Sequence, residues 1–231
     1  MTAVAVAVVL AAGSGERLGA DGPKAVQLVG GSPMVELAVR GALASDAIGS
    51  VVVTAPPASV EPLRAIVEPL GTWAVVPGGE TRGASVRAAL LALPADVAVV
   101  VCHDAARPFA SPALFDAVVR ALDDRPEVAG VVPVVVVADT VKRVSDGYVV
   151  RTEPRDELAL AQTPQAFRAS ALREAHDRAA AEGRDFSDDA ALIEWAGHGV
   201  ATVPGEASNF KITTPEDLAR AEAVVAERMR G

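Results

Sequence analysis

Short runs of Val, Ala and Leu recur along this chain, and segments with helical periodicity separate them. The runs show little alternation of apolar and polar residues, which is typical of strands buried on both faces of a parallel sheet. The predicted strands are Val4–Leu10, Val51–Ala55, Ala74–Val76, Val97–Cys102, Gly130–Val137 and Val200–Val203. Because helical crossovers between parallel strands are right-handed, the sequence predicts an α/β fold: a Rossmann-like, doubly wound, mainly parallel sheet with ligands at the carboxyl ends of its strands.

The helical segments fill the intervals between these strands. The predicted helices are Pro33–Ala44, Ser59–Glu68, Ala84–Leu93, Pro112–Leu122, Ser170–Glu182, Asp188–Ala196 and one that begins at Thr214. Acidic residues are favoured in the first turn of a helix. We therefore interpret the adjacent carboxylates Asp188 and Asp189 as a helix start rather than as a metal-binding pair.

The segment from Ala138 to Thr163 breaks this alternation. It is charged, contains β-rich runs and has Asp146-Gly147 at the expected turn, so it predicts a β-hairpin that projects from the sheet. Connections in such folds usually have about 2–6 residues, and an isolated hairpin is only marginally stable in water. We therefore predict a single domain over residues 1–231 that forms a homodimer through an arm at 138–157; the alternative is a mobile surface hairpin.

Composition excludes several classes of protein. The net charge of −9 argues against a general nucleic-acid-binding surface. No apolar run approaches the roughly 18 residues of a membrane span, and the first residues do not resemble a signal peptide. The single cysteine, Cys102, cannot form an intrachain disulfide and is predicted to be a buried core thiol. A cytoplasmic location is the corresponding prediction, with neither membrane nor nucleic-acid partners.

A loop of small residues, Leu10-Ala11-Ala12-Gly13-Ser14-Gly15-Glu16-Arg17-Leu18, follows the first predicted strand. Backbone N–H groups of such a loop can close on phosphate oxygens, and the cations of Arg17 and Lys24 can neutralise a polyphosphate. The spacing fits neither a P-loop nor the dinucleotide-binding fingerprint, since Leu18 stands where the third glycine of that fingerprint would be. An ordinary glycine turn with solvated charges remains the alternative.

Further motifs follow in order: Gly78-Gly79-Glu80-Thr81-Arg82-Gly83-Ala84-Ser85-Val86, His103-Asp104-Ala105-Ala106-Arg107-Pro108, Asp139-Thr140-Val141-Lys142-Arg143, Thr163-Pro164-Gln165 and Asn209-Phe210-Lys211-Ile212-Thr213. With the first loop, they resemble the nucleotidyltransferases that activate sugar phosphates, and in particular the 2-C-methyl-D-erythritol 4-phosphate cytidylyltransferase family. The resemblance extends over nearly the whole chain. It departs from the family pattern at Glu80, where the family usually has Asp.

The resemblance implies an enzyme of the non-mevalonate isoprenoid pathway that transfers CMP from CTP to a sugar-alcohol phosphate, 2-C-methyl-D-erythritol 4-phosphate, and releases pyrophosphate. The implied nucleotide-binding residues are Ala11, Ala12, Gly13, Gly79, Glu80 and Ser85. The implied catalytic cations are Arg17, Lys24 and Lys211. The implied acceptor-binding residues are Asp104, Arg107, Thr140, Arg155 and Thr163, of which Arg155 and Thr163 would come from a second subunit. Mg²⁺ is the expected cofactor, held by triphosphate oxygens and water without a protein carboxylate cage.

Chemistry of this kind does not require a protein base. A phosphate monoester has a second pKa near 6, so at neutral pH the acceptor phosphate is already a nucleophile. We therefore predict a structural role for His103. Purely structural roles stay open for two of the residues. Ser85 could cap a helix that starts near Val86, and Asp104 could form an ion pair with Arg107 that orders the turn.

Three other functions compete with this prediction. A ribitol 5-phosphate cytidylyltransferase would have very similar nucleotide motifs, whereas a molybdenum-cofactor guanylyltransferase fits the first loop but not the later motifs. A non-catalytic nucleotide-binding regulator is disfavoured, because binding alone would not require Arg17, Lys24 and Lys211 together. The short segment after the last predicted helix leads us to expect no fused cyclodiphosphate synthase domain.

Overall fold

The structure is a computed structural model that describes residues 4–13 and 23–228. The described strands are β1 (Ala5–Leu10), β2 (Leu28–Val29), β3 (Ser32–Pro33), β4 (Ile48–Ala55), β5 (Ala74–Pro77), β6 (Val99–Asp104), β7 (Gly130–Val136), β8 (Lys142–Ser145), β9 (Tyr148–Thr152), β10 (Ala159–Ala161), β11 (Gln165–Arg168) and β12 (Val200–Pro204). The described helices are α1 (Met34–Leu43), α2 (Val60–Val67), α3 (Arg82–Ala92), α4 (Pro112–Asp123), α5 (Ala169–Ala181), α6 (Asp189–Trp195) and α7 (Pro215–Arg228). Within these residues no helix is long and apolar enough to cross a membrane.

The central sheet has the order β10-β7-β11-β6-β1-β4-β5, and β12 pairs with β7. Strands β6, β1, β4 and β5 are mutually parallel, as are β7 and β12. Strand β11 lies between β6 and β7 and runs antiparallel to both, while β10 pairs antiparallel with the far end of β7. The predicted mainly parallel sheet is confirmed. The sequence prediction missed β10 and β11, because each is too short to show a periodic pattern.

Helices cover both faces of this sheet, which confirms the doubly wound arrangement. In β1, Ala5, Ala7 and Val9 face one apolar cluster, to which α1, α2 and α4 contribute, while Val6 and Val8 face another, formed with α3, α5 and α6. Successive side chains of a strand point to opposite faces, so a continuous apolar run is what two buried faces require. The buried Val-rich runs therefore explain the position of β1 and β6 at the centre of the sheet.

A third, smaller cluster attaches α7 to the rest of the molecule. Val29, Met34, Phe109, Ile212 and Ala221 are all buried there. The carboxylate of Glu222 in α7 also accepts a 2.9 Å hydrogen bond from the backbone N–H of Gly30. The segment that follows Lys24 and the segment that contains Lys211 are thus held by the same helix.

The hairpin predicted after Ala138 is present as β8 paired with β9. Its turn is formed by Asp146 and Gly147, both with positive φ (51° and 82°), the conformation that favours Asp, Asn and Gly. Tyr148, Val149 and Val150 are 78%, 62% and 59% exposed. Apolar side chains on this strand thus lack a covering surface within the described residues of one chain.

Candidate active site

A cleft of about 790 Å³ opens at the carboxyl ends of β1 and β6. The predicted site residues that line it are Ala11, Ala12, Gly13, Lys24, Gly79, Glu80, Ser85, Asp104 and Lys211. Residues that are far apart in the sequence therefore meet in one place, as the rule for ligand sites in open α/β sheets predicts. Arg17, the remaining predicted catalytic cation, lies outside the described residues.

The floor of the cleft is backbone from two glycine-containing loops. The loop after β1 is anchored by the N–H of Ala11, which donates to the carbonyl of Thr54 at 3.0 Å. The second loop passes so close to it that a Cβ atom added at Gly78 would lie 2.6 Å from the Cβ of Ala12. Any larger residue at Gly78 would push the two loops apart, so the glycine is explained by this close approach.

Helix α3 begins two residues earlier than predicted, and this changes the interpretation of Ser85. Thr81 is the N-cap, and its side chain accepts a 3.1 Å hydrogen bond from the N–H of Ala84. The alternative of a Ser85 cap is therefore wrong. The buried Ser85 hydroxyl donates to the carbonyl of Thr81 at 3.0 Å and accepts from the N–H of Gly79 at 3.1 Å. Ser85 thus fixes the Gly79 loop against the helix and borders the cleft.

The charged wall of the cleft is built around Asp104, at the end of β6. Lys211 Nζ lies 2.7 Å from one carboxylate oxygen of Asp104, and Arg82 Nε lies 3.6 Å from the other. Burial opposes ionisation of this carboxyl group, but Lys211 and then Arg82 outweigh it and hold the pKa of Asp104 well below its usual range. Asp104 is accordingly ionised at all physiological pH values.

The expected alternative of an ion pair between Asp104 and Arg107 is not what the described residues form. Arg107 instead donates from Nη1 to the carbonyl of Asn209 at 2.9 Å and from Nη2 to the carbonyl of Ala161 at 3.4 Å. Burial lowers the pKa of Arg107, and Asp104 partly opposes this effect. Arg107 thus ties β10 to the segment just before Lys211, outside the lining of the cleft.

Thr163 has a different place from the one predicted. Its side chain is buried, and its hydroxyl accepts a 3.0 Å hydrogen bond from the backbone N–H of Asp104 in the same chain. The same hydroxyl lies 3.0 Å from Nδ1 of His103. This contradicts the expectation that Thr163 reaches the acceptor from a second subunit, because a buried side chain that is bonded to its own β6 cannot extend into another molecule.

His103 has the structural role that the sequence predicts for it. The ring is fully buried, its Nε2 lies 3.1 Å from the carbonyl of Arg107, and it packs edge-on against Phe115. Burial lowers the pKa of His103 to about 4. The imidazole is neutral at pH 7 and lies behind Asp104, so it braces the wall of the cleft.

Thr140 and Arg155 lie outside the cleft of their own chain. Both are exposed residues at the base of the β8–β9 hairpin, where Arg155 Nη1 donates to the carbonyl of Ala138 at 3.2 Å. The nearby Glu153 binds Arg143 and Arg151 at 2.7 and 3.0 Å. The base of the hairpin is therefore ordered by its own charges.

Two site features escaped the sequence-based prediction. Arg82 lines the cleft, but no feature of the sequence distinguishes it from the other residues of the glycine-containing motif. Asp188 is the N-cap of α6, as predicted, and accepts from the N–H of Ala191 at 3.0 Å. Asp189, by contrast, is buried and bound to Arg82 at 2.6 Å. Only the fold reveals this partner, which is more than a hundred residues away in sequence.

The described residues contain no group of three side chains suited to hold a metal ion. Of the carboxylates that line the cleft, Asp104 already has Lys211 and Arg82 at its two oxygens, while Glu80 is exposed on the glycine loop. This donor set fits a hard divalent cation that is bound mainly by phosphate oxygens and water. The cations Lys24, Arg82 and Lys211 and the glycine-containing loops, placed at the carboxyl ends of the strands, are typical of an α/β enzyme that binds nucleotides and acts on phosphate groups.

Comparison with known proteins narrows this class of enzymes to one family. Residues 5–227 match the 2-C-methyl-D-erythritol 4-phosphate cytidylyltransferase family. The member of that name from Frankia casuarinae is 47% identical over 222 residues, which are 95% of this chain and 80% of that protein. The chain therefore belongs to this family, and it is a nucleotidyltransferase of the cytidylyltransferase type. The resemblance in the sequence motifs is thereby confirmed.

Solved structures agree with this assignment. The structure of 2-C-methyl-D-erythritol 4-phosphate cytidylyltransferase from Thermus thermophilus is 37% identical, with a TM-score of 0.78 over 95% of this chain and 98% of that chain. The 4-diphosphocytidyl-2C-methyl-D-erythritol synthase of Anaerococcus prevotii has a TM-score of 0.84 and 30% identity, and each chain is covered to 96%. Some relatives are longer: this chain spans 55% of the bifunctional enzyme IspD/IspF of Nitrobacter winogradskyi, to which it is 43% identical.

Proposed function

We propose that this cytidylyltransferase joins CTP to 2-C-methyl-D-erythritol 4-phosphate in the non-mevalonate isoprenoid pathway, giving 4-diphosphocytidyl-2-C-methyl-D-erythritol and pyrophosphate. The observation that carries the proposal is the convergence of Lys24, Lys211 and Asp104 with two glycine-containing loops in one cleft. The cations suit a polyphosphate, and Asp104, as a permanent acceptor of hydrogen bonds, suits the hydroxyl groups of a sugar alcohol.

The reaction follows from the chemistry of the two substrates. An oxygen of the acceptor phosphate attacks the α-phosphorus of CTP and forms a new P–O bond. The bond from that phosphorus to the oxygen bridging to the β-phosphorus breaks, and pyrophosphate leaves from the opposite side. Because the acceptor phosphate is largely a dianion at neutral pH, no side chain has to remove a proton from it.

The protein's contribution is then to position the substrates and neutralise their charge. We assign Arg17, Lys24 and Lys211 to the reacting phosphates. Lys211 is held by Asp104 at 2.7 Å, so its ammonium group is oriented before substrate enters. A cation fixed in this way loses little conformational freedom when charge develops beside it.

Nucleotide selection is assigned to the glycine loop that precedes α3. Gly79 and Glu80 border the cleft, and the Ser85 hydroxyl holds the N–H of Gly79 at 3.1 Å. Backbone groups fixed by packing can match the donor and acceptor pattern of cytosine and leave a mismatched base with unpaired polar atoms. Glu80 in place of the family's usual Asp is compatible with a contact made through the main chain.

Mg²⁺ is the proposed cofactor. When bound, it would neutralise charge on the triphosphate, and its proposed ligands are phosphate oxygens and water, with no protein carboxylate assigned.

The proposed active unit is a homodimer of single-domain chains that exchange residues 138–157. The exposed side chains of Tyr148, Val149 and Val150 support this proposal, because such an apolar surface is stabilised when a second copy covers it. The exchange would bring Thr140 and Arg155 to the acceptor site of the partner. A cytoplasmic location, without nucleic-acid or membrane partners, stays a prediction from the sequence.

Pyrophosphate release is the measurement that tests the substrates. CTP, UTP, ATP and GTP are each supplied with methylerythritol phosphate, with ribitol 5-phosphate and with no acceptor, in the presence of Mg²⁺ or of EDTA. We expect turnover with CTP and methylerythritol phosphate to exceed every other pair, and EDTA to abolish it. Equal rates with all four nucleotides would refute the cytosine assignment, and a preference for ribitol phosphate would replace the acceptor. Binding of CTP without release of pyrophosphate would indicate a regulator.

A further inference from the structure

Arg82 is held between two carboxylates that belong to different layers of the fold. Its Nη1 lies 2.6 Å from Asp189 Oδ2, and its Nε lies 3.6 Å from Asp104 Oδ1. Asp189, at the start of α6, is in turn bound by His176 Nε2 of α5 at 3.1 Å. A line of side chains therefore runs from the packed layer of α5 and α6 to the wall of the cleft.

The anchor of this line is strong because it is buried. The Asp189 side chain is 1% exposed, and a buried carboxylate that loses its cation is left as an uncompensated charge, which is strongly destabilising. Arg82 therefore cannot swing away from Asp189 at low cost. The guanidinium group is also planar and rigid, so fixing Nη1 on Asp189 fixes the direction in which Nε points.

Nε points at the wall of the cleft. Lys211 occupies one oxygen of Asp104, and Arg82 faces the other. With a cation at each oxygen, rotation of the carboxylate about its χ2 bond would separate both charge pairs at once. Burial would lower the pKa of Arg82, but Asp189 and Asp104 outweigh burial and raise it, so the cation is permanent.

We propose that Arg82 is a positioning residue. Asp189 holds it rigidly, and it in turn holds the carboxylate of Asp104 in the orientation that positions Lys211 and the acceptor. The inference rests on the proposed roles of Asp104 and Lys211. Two other roles are distinguishable from it. As a purely structural link, Arg82 would affect stability only; as a direct ligand of the nucleotide, it would affect the KM for CTP.

The experiment compares wild type with Arg82→Gln, Arg82→Lys, Asp189→Asn and the Arg82→Gln/Asp189→Asn double variant. We expect Arg82→Gln to lower kcat/KM for the acceptor about tenfold or more, with the KM for CTP changed less than about twofold. Arg82→Lys should retain only part of the wild-type kcat/KM for the acceptor. Lysine keeps the positive charge but lacks the planar guanidinium group that faces two carboxylates at once. Asp189→Asn should lower kcat/KM for the acceptor about threefold. The double variant should have a kcat/KM no lower than that of Arg82→Gln, because both substitutions interrupt the same series of contacts.

The control is Arg87→Gln, in the same helix. Arg87 is half-exposed and pairs with Asp177 at 3.1 Å, so its loss should leave kinetics and melting temperature nearly unchanged. An Arg82→Gln enzyme with lowered melting temperature but wild-type kinetics would overturn the proposal. So would a loss confined to the KM for CTP, or a double variant in which the two losses multiply.

A second readout does not depend on turnover. NMR titration of the Asp104 carboxyl group should show a higher pKa in Arg82→Gln than in wild type, and no change in Arg87→Gln. An unchanged Asp104 titration would also overturn the proposal. Absence of wild-type turnover with CTP and methylerythritol phosphate would instead refute the proposed function, and the titration would still decide the role of Arg82.

Discussion

The wall of the cleft and the β8–β9 hairpin both contain charged side chains, but they differ in how far their own chain covers them. Asp104 is braced by contacts from its own chain: Lys211 and Arg82 at the carboxylate, and Thr163 at the backbone. The hairpin is also charged, yet its strands are exposed along their whole length. The wall of the cleft is thus fixed by neighbours in its own chain, whereas the hairpin, which we propose to bind a second copy, has no covering surface within the described residues.

Removing a cation from the braced wall should have the largest effect. We expect Lys211→Ala to lower kcat by two or more orders of magnitude, about 3 kcal/mol of transition-state stabilisation, because the charge at the reacting phosphates is lost. Lys24→Ala should behave alike. Steady-state kinetics with both substrates varied is the measurement; a rise in KM at constant kcat would mean that these lysines act in ground-state binding.

Exchange of subunits tests the role proposed for Arg155 at the base of the hairpin. Arg155→Ala is expected to lose at least about tenfold in kcat/KM for the acceptor, since a charge-assisted contact to the phosphate is lost. The impaired Arg155→Ala chain and the nearly inactive Lys211→Ala chain are then mixed under conditions that allow subunit exchange, and the activity of the mixture is compared with that of the two unmixed variants. If Arg155 acts on the partner's site, half the sites of a mixed dimer are intact and activity returns. Mixing that restores nothing would place Arg155 in its own chain's site.

An effect on stability rather than on catalysis should appear in its pH dependence. The pKa of His103 is lowered to about 4 by burial, whereas the unfolded chain has an ordinary histidine. Between about pH 6.5 and pH 4 the unfolded state binds the extra proton, so the free energy of unfolding should fall as pH falls, by up to about 3 kcal/mol.

Denaturant unfolding from about pH 7 to pH 5 measures this slope before most carboxylates titrate. His103→Gln keeps a polar side chain but cannot titrate, and its slope should be shallower than that of wild type. Equal slopes would show that another group causes the loss. His198, which is exposed, offers the matched control, because His198→Gln makes the same chemical change outside the buried core.

The same contrast explains how much the sequence could predict. Strands such as β1 and β6 are revealed by continuous apolar runs, and Lys24, Asp104 and Lys211 by the motifs that resemble the family. The antiparallel β11 is not, because so short a strand has no detectable period, and its place between β6 and β7 is decided by packing. The prediction for Thr163 is wrong for the same reason: only the position of β11 brings its hydroxyl under the N–H of Asp104.

The attachment of α7 has a consequence for synthesis of the chain. The cleft takes Lys24 from an early segment and Lys211 from a late one, and α7 holds both through Gly30 and Ile212. Contacts between such distant segments require a large loop to close, so they form late in folding. A growing chain on the ribosome has its glycine loops long before Lys211 and α7 emerge. It can therefore complete the proposed site, and begin to consume CTP, only when nearly all of the described chain has been made.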